Sequence, residues 1–155
     1  MAAGTPPAKL VLGIPTYGRS WTLATPQTSV NSSASGTGAA GPITQERGYL
    51  AYNEICRNIR EAGWTKVSDQ TGSRGPYAFK DDQWVGYDDA AMAEVKARYI
   101  LDNQLGGAMF WDLPSDDFQG WCGEGAYPII STVSNIVKYQ CYKLWFYHSK
   151  LGGLK

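Results

Sequence analysis

The side chains of this 155-residue chain that could move protons are carboxylates in adjacent pairs: Asp81-Asp82, Asp88-Asp89 and Asp116-Asp117, with Asp112 just before the last pair. A carboxyl group works as a general acid near neutral pH when burial or a like-charged neighbour raises its pKa. Adjacent acids in turn-like segments more often serve as turn formers and helix caps. That is the use expected of all of them here, and no catalytic residue is assigned. The second distinctive feature is aromatic, with ten Tyr and six Trp. Such rings join an apolar face to a polar edge and suit a groove that stacks on a ligand. Most of them are nevertheless expected in the core and on edge strands.

Metal and cofactor chemistry are not expected. The one histidine is His148, and Cys56, Cys122 and Cys141 include no C-x-x-C pair, which leaves no zinc-ligand spacing. Three cysteines allow one disulfide with a thiol left over in an oxidising compartment, and the spacing leaves the pairing open. Lys plus Arg equals Asp plus Glu at 14 each, so there is no basic face for nucleic acid and no polybasic membrane signal. The apolar runs are far shorter than a bilayer span. Met1 is followed by Ala-Ala-Gly-Thr-Pro-Pro, without the basic and apolar regions of a signal peptide, so the sequence is expected to open within a longer chain.

The elements that must position these residues follow from periodicity. Lys9 to Pro15 is a short apolar run closed by Pro and reads as a buried strand. From Thr25 to Pro42 the Ser/Thr/Gly/Ala-rich chain reads as a long surface loop. Tyr49 to Ala62 has helical spacing through Leu50, Ile55 and Ile59, and Gly63 ends it. Three short strands follow, at 64–67, 77–80 and 83–87, with Asp81-Asp82 as a tight turn between the last two. Asp88-Asp89 is expected to cap a second helix with Met92, Val95, Tyr99 and Ile100 on its apolar side. Gly107 to Trp111 reads as another buried strand, and Tyr127-Pro128 opens a last helix carrying Ile129, Ile130, Val133, Ile136 and Val137. The outer parts thus read as a β/α unit and the middle as an antiparallel insertion, an α+β arrangement.

Three stretches carry a resemblance. Leu10-Val-Leu-Gly-Ile-Pro-Thr-Tyr-Gly-Arg-Ser-Trp21 comes first. Gly48-Tyr-Leu-Ala-Tyr-Asn-Glu-Ile-Cys56 is second, with Gln83-Trp-Val-Gly-Tyr-Asp-Asp89 downstream of it. Gly106-Gly-Ala-Met-Phe-Trp-Asp-Leu-Pro-Ser-Asp-Asp-Phe118 is third. In this order they resemble the family 18 glycoside hydrolases, the animal chitinases and chitinase-like lectins. The first looks like the seventh strand of a (β/α)8 TIM barrel with its following loop, the second like the two ends of the chitinase insertion domain, and the third like the eighth strand. The resemblance implies a C-terminal barrel portion at 9–21 and 88–137, an insertion domain at 22–87, and an unassigned tail at 138–155.

It also implies roles. Active sites of such barrels lie at the C-terminal strand ends, where Tyr17, Arg19 and Trp111 fall. Trp111 matches the tryptophan floor under the sugar, since a flat indole suits the axial C–H face of a pyranose. The competing use is barrel-core filler. Tyr17 and Arg19 match groups aimed at hydroxyls and the N-acetyl group, Arg being a rigid multi-donor fork. A salt bridge within the insertion is its alternative. Glu54 matches an acid in one wall of the groove, although a helix-surface Glu is usually only solvated. Cys56 and Cys122 match a disulfide between insertion and barrel, leaving Cys141 free. Closing that loop would stabilise by about 4 kcal/mol in the loop-entropy model.

Family 18 enzymes carry Asp-x-x-Asp-x-Asp-x-Glu on the fourth strand, where the Glu protonates the leaving oxygen and the substrate's N-acetyl group is the internal nucleophile. In this sequence no two Asp residues stand two apart, so the motif is absent from it. The resemblance therefore implies part of a secreted, extracellular chitinase acting on β-1,4 N-acetylglucosamine polymers, inactive by itself. The alternative is a non-catalytic lectin that holds chitin or chito-oligosaccharide. Two strands cannot close a barrel, so exposed apolar surface and self-association through open edges are further expectations.

Overall fold

Short apolar or alternating runs broken by Gly, Pro and Asp become strands, and three longer runs with helical spacing become helices. In the computed structural model, which describes residues 4–69, 71 and 73–138, eight strands and three helices follow in order. They are β1 (Val11–Pro15), β2 (Tyr17–Leu23), β3 (Ala34–Thr37), β4 (Tyr49–Ala51), α1 (Tyr52–Glu61), β5 (Thr65–Val67), β6 (Tyr77–Lys80), β7 (Gln83–Gly86), α2 (Ala90–Asp102), β8 (Gly107–Trp111) and α3 (128–138). The tail beyond 138, with Cys141 and His148, lies outside the described residues.

β1 and β8 pair in parallel, from Val11↔Gly107 to Pro15↔Trp111. The strand period of two divides their side chains between two faces. Leu12, Ile14, Ala108 and Phe110 join the core with Ile100 of α2 and Ile129 and Val133 of α3. Val11, Met109 and Trp111 point the other way and are 57%, 49% and 65% exposed. Both strands were expected to be buried, and they are so on one face only, the one that α2 and α3 cover.

The other six strands form an antiparallel sheet in the order β3-β2-β7-β6-β5, with β4 pairing the first half of β2. β2 was read as a loop. Its alternation is nevertheless clear, with Gly18 and Ser20 buried and Arg19 and Trp21 exposed. No side chain fits at Gly18, because Val85 Cγ2, Ile55 Cδ1 and Gly86 O lie 2.6–2.9 Å from where its Cβ would be. That close approach is where α1 packs on the sheet.

Two further boundaries differ from expectation. The 25–42 loop contains β3, whose Ser/Gly/Thr backbone pairs with the edge of β2, for example Trp21↔Thr37. The helix expected from Tyr49 begins at Tyr52, because Tyr49, Leu50 and Ala51 pair with Arg19, Gly18 and Tyr17. On α2, Met92, Ala93, Ala97 and Ile100 are buried, while Val95 and Tyr99 face outward with no element over them among the described residues. The acidic pairs behave as read: Asp81 turns the β6–β7 hairpin at φ 52°, and Asp89 caps α2 by accepting from the Met92 N–H at 2.9 Å.

Candidate functional site

The β2–β4 ladder sets Tyr49 directly opposite Arg19 and on its face. The Tyr17 and Tyr49 rings stack with centroids 4.7 Å apart. The Arg19 guanidinium stands 5.2 Å and 5.4 Å from their centres, a cation–π arrangement. Among the described residues no carboxylate lies within 4 Å of Arg19, so the salt-bridge alternative is not realised. Its donors are held in place by ring faces and remain available.

The sheet is tied to the end of β8. The Thr16 N–H donates to Trp111 O at 3.0 Å, and Thr16 Oγ1 donates to Asp112 O at 2.5 Å. Beyond Asp112 the chain makes a 3₁₀ turn, Leu113–Ser115, where Ser115 Oγ and Tyr49 OH share a 3.0 Å hydrogen bond. Asn53 Nδ2 on α1 donates to Pro114 O at 3.0 Å. Between turn and sheet lies an open cleft of about 480 Å3, lined by Arg19, Ile43, Thr44, Glu46, Tyr49, Ala51, Trp111, Asp112, Pro114 and Ser115. Trp111 is 65% exposed in this chain and lines the cleft. Tyr17 backs Tyr49 and Arg19.

Glu54, matched to an acid of the groove wall, is not the solvated helix-surface residue that was its alternative. It is 2% exposed, at the first turn of α1, under the loop that precedes β4. Oε1 accepts from the N–H groups of Ile43 and Thr44 at 2.6 and 3.0 Å, and Oε2 from Thr44 Oγ1 and the Ala51 N–H at 2.9 Å each. The carboxylate and Leu50 leave no room for a side chain at Gly41. Glu54 therefore shapes the cleft wall through Ile43 and Thr44, with both oxygens already engaged.

The remaining acids hold the frame. Asp116 is fully buried and accepts from the N–H groups of Asp117 at 2.8 Å and Ile130, in the first turn of α3, at 3.0 Å. Burial pushes its carboxyl above the usual range, partly offset by those bonds. Asp117 accepts from the Trp121 and Cys122 N–H groups at 3.0 and 2.7 Å. Asp88 is raised by burial and lowered by Lys96, with which it pairs. None of these lines the cleft. Glu46 and Asp112 do, and the buried Oδ1 of Asp112 has no hydrogen-bond partner among the described residues. Burial also raises the Tyr49 phenol, the Ser115 bond pulling it down and the Asp112 charge adding to the rise.

Cys56 on α1 and Cys122 form a disulfide, with Cα atoms 5.7 Å apart. Together with Asp117 they are the one metal-like cluster among the described residues, but the sulfurs are bonded to each other. Sequence reasoning missed Tyr49, Ser115, Ile43, Thr44 and Glu46. The signal for Tyr49 was its strand pairing, hidden by reading 49–51 as helix. The assembled cleft offers an exposed indole, a guanidinium, a phenol and hydroxyl groups. It can stack on the apolar face of a ligand while hydrogen-bonding neutral oxygens around the rim.

The sequence model of the family described as Glycosyl hydrolases family 18 matches residues 1–116. Chitinase-3-like protein 2 of Homo sapiens is 50% identical over 131 residues, which cover 84% of this chain and 33% of that protein. Among solved structures, the Group II chitinase catalytic domain 2 of Ostrinia furnacalis aligns with a TM-score of 0.86 at 40% identity, over 88% of this chain and 36% of that one. Human YKL-39, described as a pseudo-chitinase with retained chitooligosaccharide binding, aligns with a TM-score of 0.82 at 46% identity, over 88% and 37%. The chain spans about a third of the length of these proteins.

Proposed function

The chain belongs to glycosyl hydrolase family 18, and from that premise we propose that its cleft binds chito-oligosaccharide without cleaving it. The observation that carries this reading is Trp111: a large indole left 65% exposed at the end of β8, facing the same cleft as Arg19 and Tyr49. An exposed ring costs hydration free energy that burial under a sugar recovers. Trp111 is the stacking floor, Arg19 the hydrogen-bonding fork, Tyr17 its support, and Glu54 the acid that builds the wall. Chitin and its oligomers are the ligand class. Hydrolysis needs an acid placed over the glycosidic oxygen, and the Asp-x-x-Asp-x-Asp-x-Glu run that would place one is not in this sequence.

In the same reading, β1 and β8 are neighbouring strands of a (β/α)8 barrel, and the insertion expected at 22–87 takes in all of β2, because Tyr17–Leu23 pairs within the antiparallel sheet. The parallel β1–β8 pairing and the helices over one face support it. The open face of Val11, Met109 and Trp111 is then the barrel interior. The resemblance to the Ostrinia furnacalis chitinase domain favours a hydrolytic whole protein that contributes its acid from other strands. Among the described residues no helix is long and apolar enough to cross a membrane. Calorimetric titration with N-acetyl-chitohexaose and with cellohexaose tests the binding reading. Saturable heat with the first and much less with the second supports it, and no heat with either overturns it.

A further inference from the structure

The outer face of β2 continues past Arg19. Alternation along the strand places Tyr17, Arg19 and Trp21 on one side, and the two-residue step from Arg19 to Trp21 covers about 7 Å. Trp21 is 44% exposed. Its cross-strand partners are Thr37 on β3 and Trp84 on β7. Trp84 is already engaged: it stacks on Tyr77 at 5.4 Å and donates its Nε1–H to Thr28 O at 3.2 Å. Among the described residues Trp21 has no stacked ring and no acceptor for its indole N–H.

Arg47 donates to the carbonyl of Thr37, the residue opposite Trp21, at 3.2 Å. Glu46, its neighbour in sequence, lines the cleft beside Arg19. A free ring face with an unspent N–H, on the same strand face as a guanidinium, has the chemistry of a sugar-stacking platform. The platform is continuous with the cleft along a single strand.

We propose that Trp21 is a distal stacking residue of the same groove, receiving a sugar ring beyond those held at Trp111 and Arg19. The proposal rests on the chito-oligosaccharide reading of the cleft. It makes β2 a ruler: a short oligomer is held by the cleft alone, and a longer one also reaches Trp21.

The test is calorimetric titration of the full chain, its Trp21→Ala and Trp21→Phe variants, and Trp111→Ala, each with N-acetyl-chitotriose and N-acetyl-chitohexaose. Trp21→Ala should weaken the hexaose by roughly three- to tenfold and leave the triose unchanged. Trp21→Phe should restore most of the loss, and Trp111→Ala should weaken both ligands. If Trp21→Ala leaves hexaose affinity intact, or lowers both affinities equally, the proposal is overturned while the cleft reading stands. If the unsubstituted chain binds neither oligomer, both are overturned.

Discussion

Tyr49 and Arg19 face each other across the β2–β4 ladder, and the guanidinium lies 5.4 Å from the centre of the Tyr49 ring. The ring holds the cation at the cleft without a carboxylate to neutralise it. A salt bridge would fix Arg19 equally well but engage the donors a sugar needs. In the binding reading, Tyr49→Ala frees the guanidinium and weakens N-acetyl-chitohexaose by roughly three- to tenfold. Tyr49→Phe keeps the stack, gives up only the Ser115 hydrogen bond, and should bind within about twofold of the parent. Equal losses from the two variants would show that the phenol hydroxyl, not the ring, is the contributing group.

Glu54 accepts four hydrogen bonds from the wall loop and the start of α1. Glu54→Gln replaces one acceptor oxygen with a donor that faces the Ala51 N–H. The expected cost is about 1–3 kcal/mol of unfolding free energy, with the wall loop at 41–44 loosened. Urea denaturation measures it, and an unchanged midpoint would place the carboxylate outside the frame.

Asp116 has a folded pKa raised above its ordinary value by burial. Its contribution to stability is therefore fully present below the unfolded carboxylate pKa, near 3.9, and is lost as pH rises through the folded value. Asp88 shares that direction, so the two need separating. The difference in unfolding free energy between the parent and Asp116→Asn isolates Asp116, because Asn does not titrate. That difference should fall from pH 4 towards pH 7. A difference that grew with pH would mean that the Asp117 and Ile130 amides outweigh desolvation.

The face of Val11, Met109 and Trp111 is apolar and open in this chain, and both outer edges of the β1–β8 pair lack a strand partner among the described residues. Such a surface binds hydrophobic dye and favours self-association. Met109→Glu should lower dye fluorescence and shift sedimentation towards the monomer. Dye-silent, monomeric behaviour of the parent chain would contradict this expectation.

Much of the frame was legible because local chemistry decides it. Asp88-Asp89 before an apolar run caps a helix, and Asp81-Asp82 between alternating segments turns a hairpin. The expectation for Trp111 came from the family resemblance, with Gly106-Gly107 before its strand weighing in the same direction. What was hidden depends on contacts distant in sequence. Ala34–Thr37 has little intrinsic preference for a strand and becomes one only beside β2. Tyr49–Ala51 follows helical spacing on paper, yet its amides pair with β2 first. Glu54 stands where helix periodicity puts a solvated acid, and it is buried because a loop ten residues earlier folds over it. Asp112, which lines the cleft, was visible only as a neighbour of Trp111; its unpartnered oxygen is a property of the fold.

The most direct measurement is intrinsic tryptophan fluorescence titrated with N-acetyl-chitohexaose, for the parent chain and for Trp111→Ala. A saturable shift in the parent should disappear in the variant, with both proteins folded by circular dichroism. A folded parent with no shift, or a shift that survives unchanged in Trp111→Ala, would contradict a sugar-binding cleft built on Trp111.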